Sequence, residues 1–168
     1  MHDRKGAGGS MKGALLVLGA WLCSAAAIAE VTLETSVRKV ETTLDGSGQV
    51  KRELLATDDV VPGEELRYTI RFTNESRTAV DAERIVITNP IPEGTRYVAD
   101  SAGGDGTMVE YSGDGDEFHA SEAGIAAAAE TGPAGDDGAS RVHSLRWTYQ
   151  RELGPDESGE VYFHVRML

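Results

Sequence analysis

From Pro62 to Val98 the chain reads PGEELRYTIRFTNESRTAVDAERIVITNPIPEGTRYV, and no other stretch constrains the fold as much. Apolar and polar residues alternate through Leu66-Arg67-Tyr68-Thr69-Ile70-Arg71-Phe72, and a shorter run follows at Ile85-Val86-Ile87-Thr88. Turn-forming clusters punctuate the runs at Pro62-Gly63, Asn74-Glu75-Ser76, Asn89-Pro90 and Pro92-Glu93-Gly94. A side-chain period of two, broken by Gly, Pro and Asn, predicts antiparallel strands with one buried face.

The same reading extends along the chain. Val31, Leu33, Thr35, Val37 and Lys39 share a strand phase, Asp45-Gly46-Ser47-Gly48 turns, and Val50 to Ala56 returns. Strands are then expected at Glu65–Asn74, Val80–Asn89, Thr95–Asp100 and Met108–Tyr111. Near the end, Leu145, Trp147 and Tyr149 alternate, Gly154-Pro155-Asp156-Glu157 turns, and Val161, Phe163 and Val165 repeat the phase. A hairpin pairing Trp147 with Phe163 would set Leu145 on Val165 and Tyr149 on Val161, with Arg146 beside His164 and Thr148 beside Tyr162 on the other face. Trp147 is then a core residue, since Leu145 and Tyr149 share its face.

Residues 112–142 differ in composition. Gly, Ala, Asp and Glu dominate, and Phe118 and Ile125 are the large apolar exceptions. This segment is expected to be a surface insertion, partly disordered, with a helical turn or two over Ala126 to Glu130. Short strands, regular turns and no visible repeat predict an all-β chain: one antiparallel immunoglobulin-like β-sandwich of seven to eight strands with one long Gly/Ala/Asp-rich loop.

The first 29 residues read as a signal peptide. Arg4, Lys5 and Lys12 supply positive charge, ALLVLGAWLCSAAAI the apolar core, and Ala27-Ile28-Ala29 the small-x-small cleavage site. Met11 is an alternative start. The apolar run is too short and Ala-rich for a span of about 20 residues, and Leu22 before Cys23 argues against lipidation. Cleavage leaves 16 − 3 = 13 basic and 28 − 1 = 27 acidic residues, a formal charge of −14, and no cysteine. An exported chain without disulfides must rest on its core, and a domain of this size buries roughly two-thirds of its unfolded surface. The acidity argues against nucleic acid and against anionic membrane surfaces, and the mature chain is not expected to insert into a membrane.

The segments PGEELRYTIRFTNES, IVITNPIPEGTRYVADSA, VEYSGDGDEF and LRWTYQRELGPDESGEVYFHVRM together resemble the bacterial conserved-repeat domain, domain of unknown function eleven. The resemblance covers roughly residues 60 to 168 and rests on Pro62–Gly63, Tyr68–Ile70, Thr73–Asn74, Ile87–Thr95, Tyr97, Trp147 and Leu153–Val165. It implies an exported or cell-surface immunoglobulin-like sandwich with a structural or adhesive role. These motifs mark strands and turns and carry no chemistry. A second copy of the pattern is absent from the sequence.

Candidate sites are sparse. Asp114, Asp116 and Glu117 in SGDGDEF, with Asp100 and Asp105 before them, offer calcium-like oxygens, but the spacing is not that of an EF-hand and a solvated turn is the simpler reading. His119, His143 and His164 are scattered, and His143 and His164 have opposite strand phase, which argues against zinc. No nucleophile elbow is present, so no catalytic residue and no cofactor are assigned. Lys39 and Lys51, the lysines left after cleavage, sit at polar positions unsuited to an isopeptide crosslink. Asn74-Glu75-Ser76 matches the glycosylation triplet, but Asn74 reads as a turn residue.

The expectation is an exported, periplasmic or secreted module, non-catalytic, with a structural, adhesive or protein-binding role and an unknown protein or cell-envelope partner. The alternatives are a ligand-binding sandwich, for carbohydrate or calcium, and an enzyme accessory or inhibitor domain. Intact-mass spectrometry of exported protein should give a chain beginning at Glu30 without lipid; a retained residue 1–29 segment or a diacylglycerol on Cys23 contradicts the signal reading.

Overall fold

A computed structural model describes residues 31–57, 59–128 and 142–168. Residues 1–30, which include Cys23 and the expected signal peptide, residue 58, and residues 129–141 of the Gly/Ala-rich segment lie outside the described residues. The chain is all-β, with two antiparallel sheets packed as a sandwich, in agreement with the immunoglobulin-like expectation. Its strands are β1 (Val31–Leu44), β2 (Val50–Leu55), β3 (Glu65–Asn74), β4 (Val86–Pro90), β5 (Thr95–Tyr97), β6 (Gly103–Gly104), β7 (Thr107–Ser112), β8 (Ser144–Tyr149) and β9 (Ser158–Met167), with one helix, α1 (Glu122–Ala128). The large sheet runs β2-β1-β3-β9-β5, with β6 also on β9, and the small sheet runs β4-β8-β7. The strand beyond the seven to eight expected is β6, the pair Gly103–Gly104, too short and too bare of side chains for alternation to reveal.

The alternating runs of β3, β4, β8 and β9 bury their apolar phase, whereas the β1 phase of Val31, Leu33 and Val37 is half-buried or exposed and β2 is exposed throughout, because neither is covered by the small sheet. Leu66, Ile70 and Phe72 of β3 and Val161, Phe163 and Val165 of β9 face Leu145, Trp147 and Tyr149 of β8 and Ile87 of β4. Aromatic rings knit the layers, Trp147 to Phe163 at 5.9 Å between centroids and Phe72 to Tyr149 at 5.2 Å, while Tyr68 stacks on its cross-strand partner Phe163 at 5.1 Å within the large sheet.

The expected terminal hairpin does not form. β8 pairs with β4 and β7, so Trp147 lies beside Ile87 and Val109, while β9 pairs with β3, β5 and β6, so Phe163 lies beside Tyr68. Arg146 accordingly sits beside Glu110, and His164 beside Arg67. A period of two states which face is buried and is silent about whether two apolar faces meet edge to edge or across a core. The connection decides it: Leu153, fully buried, exchanges two backbone hydrogen bonds of 2.9 Å with Val80 as the chain crosses between sheets.

Asn74 locks that crossing and confirms its reading as a turn residue. Its buried Nδ2 donates to the carbonyls of Thr78, Leu153 and Gly154 at 2.8, 3.0 and 3.1 Å, and its Oδ1 accepts from the Ser76 amide and hydroxyl. A nitrogen so placed has no room for a glycan in the folded chain.

Three boundaries differ from expectation. The Val80–Asn89 run is strand only from Val86, because Glu83 takes a positive φ of 65° and breaks it. β5 stops at Tyr97, ahead of Asp100 with its positive φ of 55°. The start of the 112–142 segment is ordered against the core: Tyr111 and His119 bridge, α1 follows from Glu122, and Ile125 and Val142 are buried. A single isoleucine, Ile125, docks this seven-residue helix, which a composition average conceals.

Gly159 lies opposite Phe72 in the large sheet, and a Cβ there would collide with the Phe72 ring. In urea melts, Trp147→Ala should cost about 3–5 kcal/mol and Ile125→Ala about 2–5 kcal/mol, both as buried large-to-small changes. Gly159→Ala should cost about 1–3 kcal/mol by overpacking. A neutral Ile125→Ala would contradict the docking of α1 on the core.

Candidate functional site

The acidic turn proposed from sequence is built around one carboxylate. Asp114 Oδ1 accepts from the Ser112 hydroxyl at 2.9 Å and from the amides of Asp116 and Glu117 at 2.9 and 3.0 Å. These donors, the backbone amides foremost, pull the Asp114 pKa down to about 2. Asp114, Asp116 and Glu117 therefore sit on one turn, with Asp114 organising its own loop. Asp105 lies on the β6–β7 turn, where it pairs with Arg151 at 2.7 Å.

The histidines stand on separate elements. His119 pairs by backbone with Tyr111 and packs on Gly124, His143 is exposed, and His164 Nδ1 contacts Glu65 Oε1 at 2.6 Å. Among the described residues no three His, Asp or Glu side chains gather as a metal centre would require. Lys39 pairs with Glu64, which raises the pKa of the amine and lowers that of the carboxylate, and Lys51 pairs with Glu53 at 2.5 Å.

Two surface features stand apart from these turns. The first is a groove on one side of the sandwich. Among the described residues, the first half of β1 has β3 on one flank only, because β2 joins at Lys39 and beyond. Among the described residues β4 is likewise an edge strand, paired with β8 alone. Leu33 shares the inward face of its partner Phe72, yet it is 58% exposed, because the small sheet ends short of it. Between the two open edges lies a groove of about 370 Å³ lined by Val31, Leu33, Val80, Ile85 and Ile87, with Arg84 at its rim. Thr57 caps the Val37 carbonyl at 2.8 Å at the far end of this edge.

The second feature is the outer face of the large sheet. Residues alternate out of the core, so the polar phase of β1, β3, β9 and β5 shares one surface. Arg38 lies beside Arg67, Arg71 between Glu34 and Glu160, and Arg96 beside Arg166. Glu65 is the hub, contacting His164, Arg52 and Arg166 at 2.6, 3.3 and 3.6 Å. Arg67 stacks over Tyr162 at 4.1 Å. At one end of the face Arg67, Arg71 and Arg151 line a cleft of about 390 Å³, answered by Asp105 and Glu160.

Neither feature was singled out from sequence. The arginine phase was visible in Leu66-Arg67 and Ile70-Arg71, and it reads there as an ordinary solvated strand face. Which strands stand side by side is what joins these residues into a surface.

Comparison with family models, with curated proteins and with solved structures finds no match to this chain.

The Asp114 geometry has a pH consequence. A carboxyl held at about 2 in the folded loop, against an ordinary 3.8, favours the folded loop above pH 3.8 and loses that contribution as pH falls toward 2. An NMR titration should place the Asp114 midpoint near 2, and Asp114→Ala should abolish the slow amide exchange of Asp116 and Glu117. A midpoint near 3.8 would contradict the loop geometry.

Proposed function

We propose that the chain is an exported, non-catalytic β-sandwich module with a structural, adhesive or protein-binding role, of the kind the bacterial conserved-repeat resemblance implies. The groove between β1 and β4 is the observation that supports binding. Its walls are two strand edges unpaired among the described residues, and Val31, Leu33, Val80, Ile85 and Ile87 line it. A strand exposing main-chain donors and acceptors recruits another extended segment, and alternate apolar side chains of that segment would fill the groove over Leu33. Arg84, exposed at the rim, favours a segment carrying an acidic residue. Export is supported by the apolar run before Ala27-Ile28-Ala29. The commitment of Asp114 to its own loop favours the protein-binding reading over the calcium alternative.

Leu33→Glu tests the reading, since Leu33 is exposed and the change leaves the core intact. Captured from cell-envelope extract, a groove partner should be retained by the wild-type chain. Its yield on Leu33→Glu should fall by about tenfold, because binding would then bury an unpaired charge. Equal yields from two proteins of equal melting temperature would count against the groove.

A further inference from the structure

The outer face of the large sheet carries a charge opposite to that of the chain. Six arginines lie on it, Arg38, Arg52, Arg67, Arg71, Arg96 and Arg166, against three acids, Glu34, Glu65 and Glu160, an excess of 6 − 3 = 3 positive charges. The whole sequence has a formal charge of −12. Arg38 and Arg96 are exposed, and neither forms an ion pair with a described residue. The β1–β2 ribbon prolongs the same face beyond the sandwich. Leu44 and Val50 pair across it, in phase with Arg38 and Arg52, and are 71% and 66% exposed at its tip.

We infer that this face docks on a bilayer surface bearing anionic headgroups. The arginines would meet lipid phosphates, and Leu44 with Val50 would enter the headgroup boundary, where apolar side chains flanked by cations settle. The chain's net negative charge argues against an anionic surface at long range, so the contact requires the local positive face to outweigh it. Beyond a Debye length of about 8 Å at physiological salt the remote acids are screened, and the surface that touches decides the sign. The cations extend well outside the cleft of Arg67, Arg71 and Arg151, so they match many separate phosphates better than one small anion. Tyr162 is covered by Arg67, which removes the open ring on which a nucleic-acid base would stack. An exposed apolar tip in phase with the arginines fits a lipid boundary and adds nothing against a soluble polysaccharide. The inference stands apart from the groove, which lies at the β1 and β4 edges.

Exported protein of known mass, mixed with vesicles of phosphatidylglycerol and phosphatidylcholine in equal parts, should sediment with them and should stay in solution with phosphatidylcholine alone. Each arginine near an anionic surface is worth about fivefold in partitioning, so Arg38→Gln with Arg96→Gln should weaken it about 25-fold. Leu44→Ser with Val50→Ser should also weaken it, with the melting temperature of the sandwich unchanged. Salt of about 1 M, where the Debye length is about 3 Å, should release the protein. Leu33→Glu should bind vesicles like the wild type, which separates this face from the groove. Equal sedimentation with phosphatidylcholine alone, or indifference to the arginine changes, overturns the inference. Retention on a sulfated polysaccharide with no vesicle binding overturns it too, by assigning the face to a soluble polyanion.

Discussion

Trp147 packed against Phe163 is the contact on which the two sheets depend. The small sheet has only three strands, and its middle strand must supply most of the area that holds it to its larger partner. Trp147 meets Phe163 of β9 and Tyr149 meets Phe72 of β3, and Leu145 is fully buried in the same cluster. The indole Nε1 is buried without a hydrogen-bond partner among the described residues, so the ring is kept for its area and in spite of its donor. Remove that area and neither sheet has another apolar face to cover.

A second constraint keeps the sheets in register: the crossing from β8 to β9. The backbone there would carry unpaired polar groups into the interior were it not for Val80, which pairs with Leu153, and Asn74, whose amide takes up the carbonyls of Leu153 and Gly154. One asparagine at the end of β3 thus ties together the ends of β3, β8 and β9. Gly159 completes the arrangement, since the missing side chain makes space for the Phe72 ring that closes this end of the core.

The unequal width of the sheets has a functional consequence. Among the described residues, six strands facing three leave the β1 side uncovered, so inward-facing Leu33 meets solvent and two edges are unpaired. The outer face of the wide sheet, for its part, is broad enough to gather arginines from five strands. Both surfaces follow from one architectural fact.

The amino-acid sequence by itself determined the buried phase of the core strands, because burial along a strand follows a period of two and leaves a readable trace in Leu66 to Phe72, Leu145 to Tyr149 and Val161 to Val165; for β1 and β2 the same period marked faces that stay half-buried or exposed. It also marked the turns at Pro62-Gly63 and Asp114, where local hydrogen bonds or backbone preference act within a few residues. Tertiary structure alone decided which strands are neighbours. Pairing is non-local, and identical apolar phases in β8 and β9 fit a hairpin as well as a face-to-face core. The docking of Ile125 was hidden for a related reason, since one apolar residue in a Gly/Ala segment has no periodicity. The arginine face was hidden most deeply. Each arginine is an ordinary polar-phase residue of its own strand, and only the lateral order β2-β1-β3-β9-β5 turns separate charges into one field.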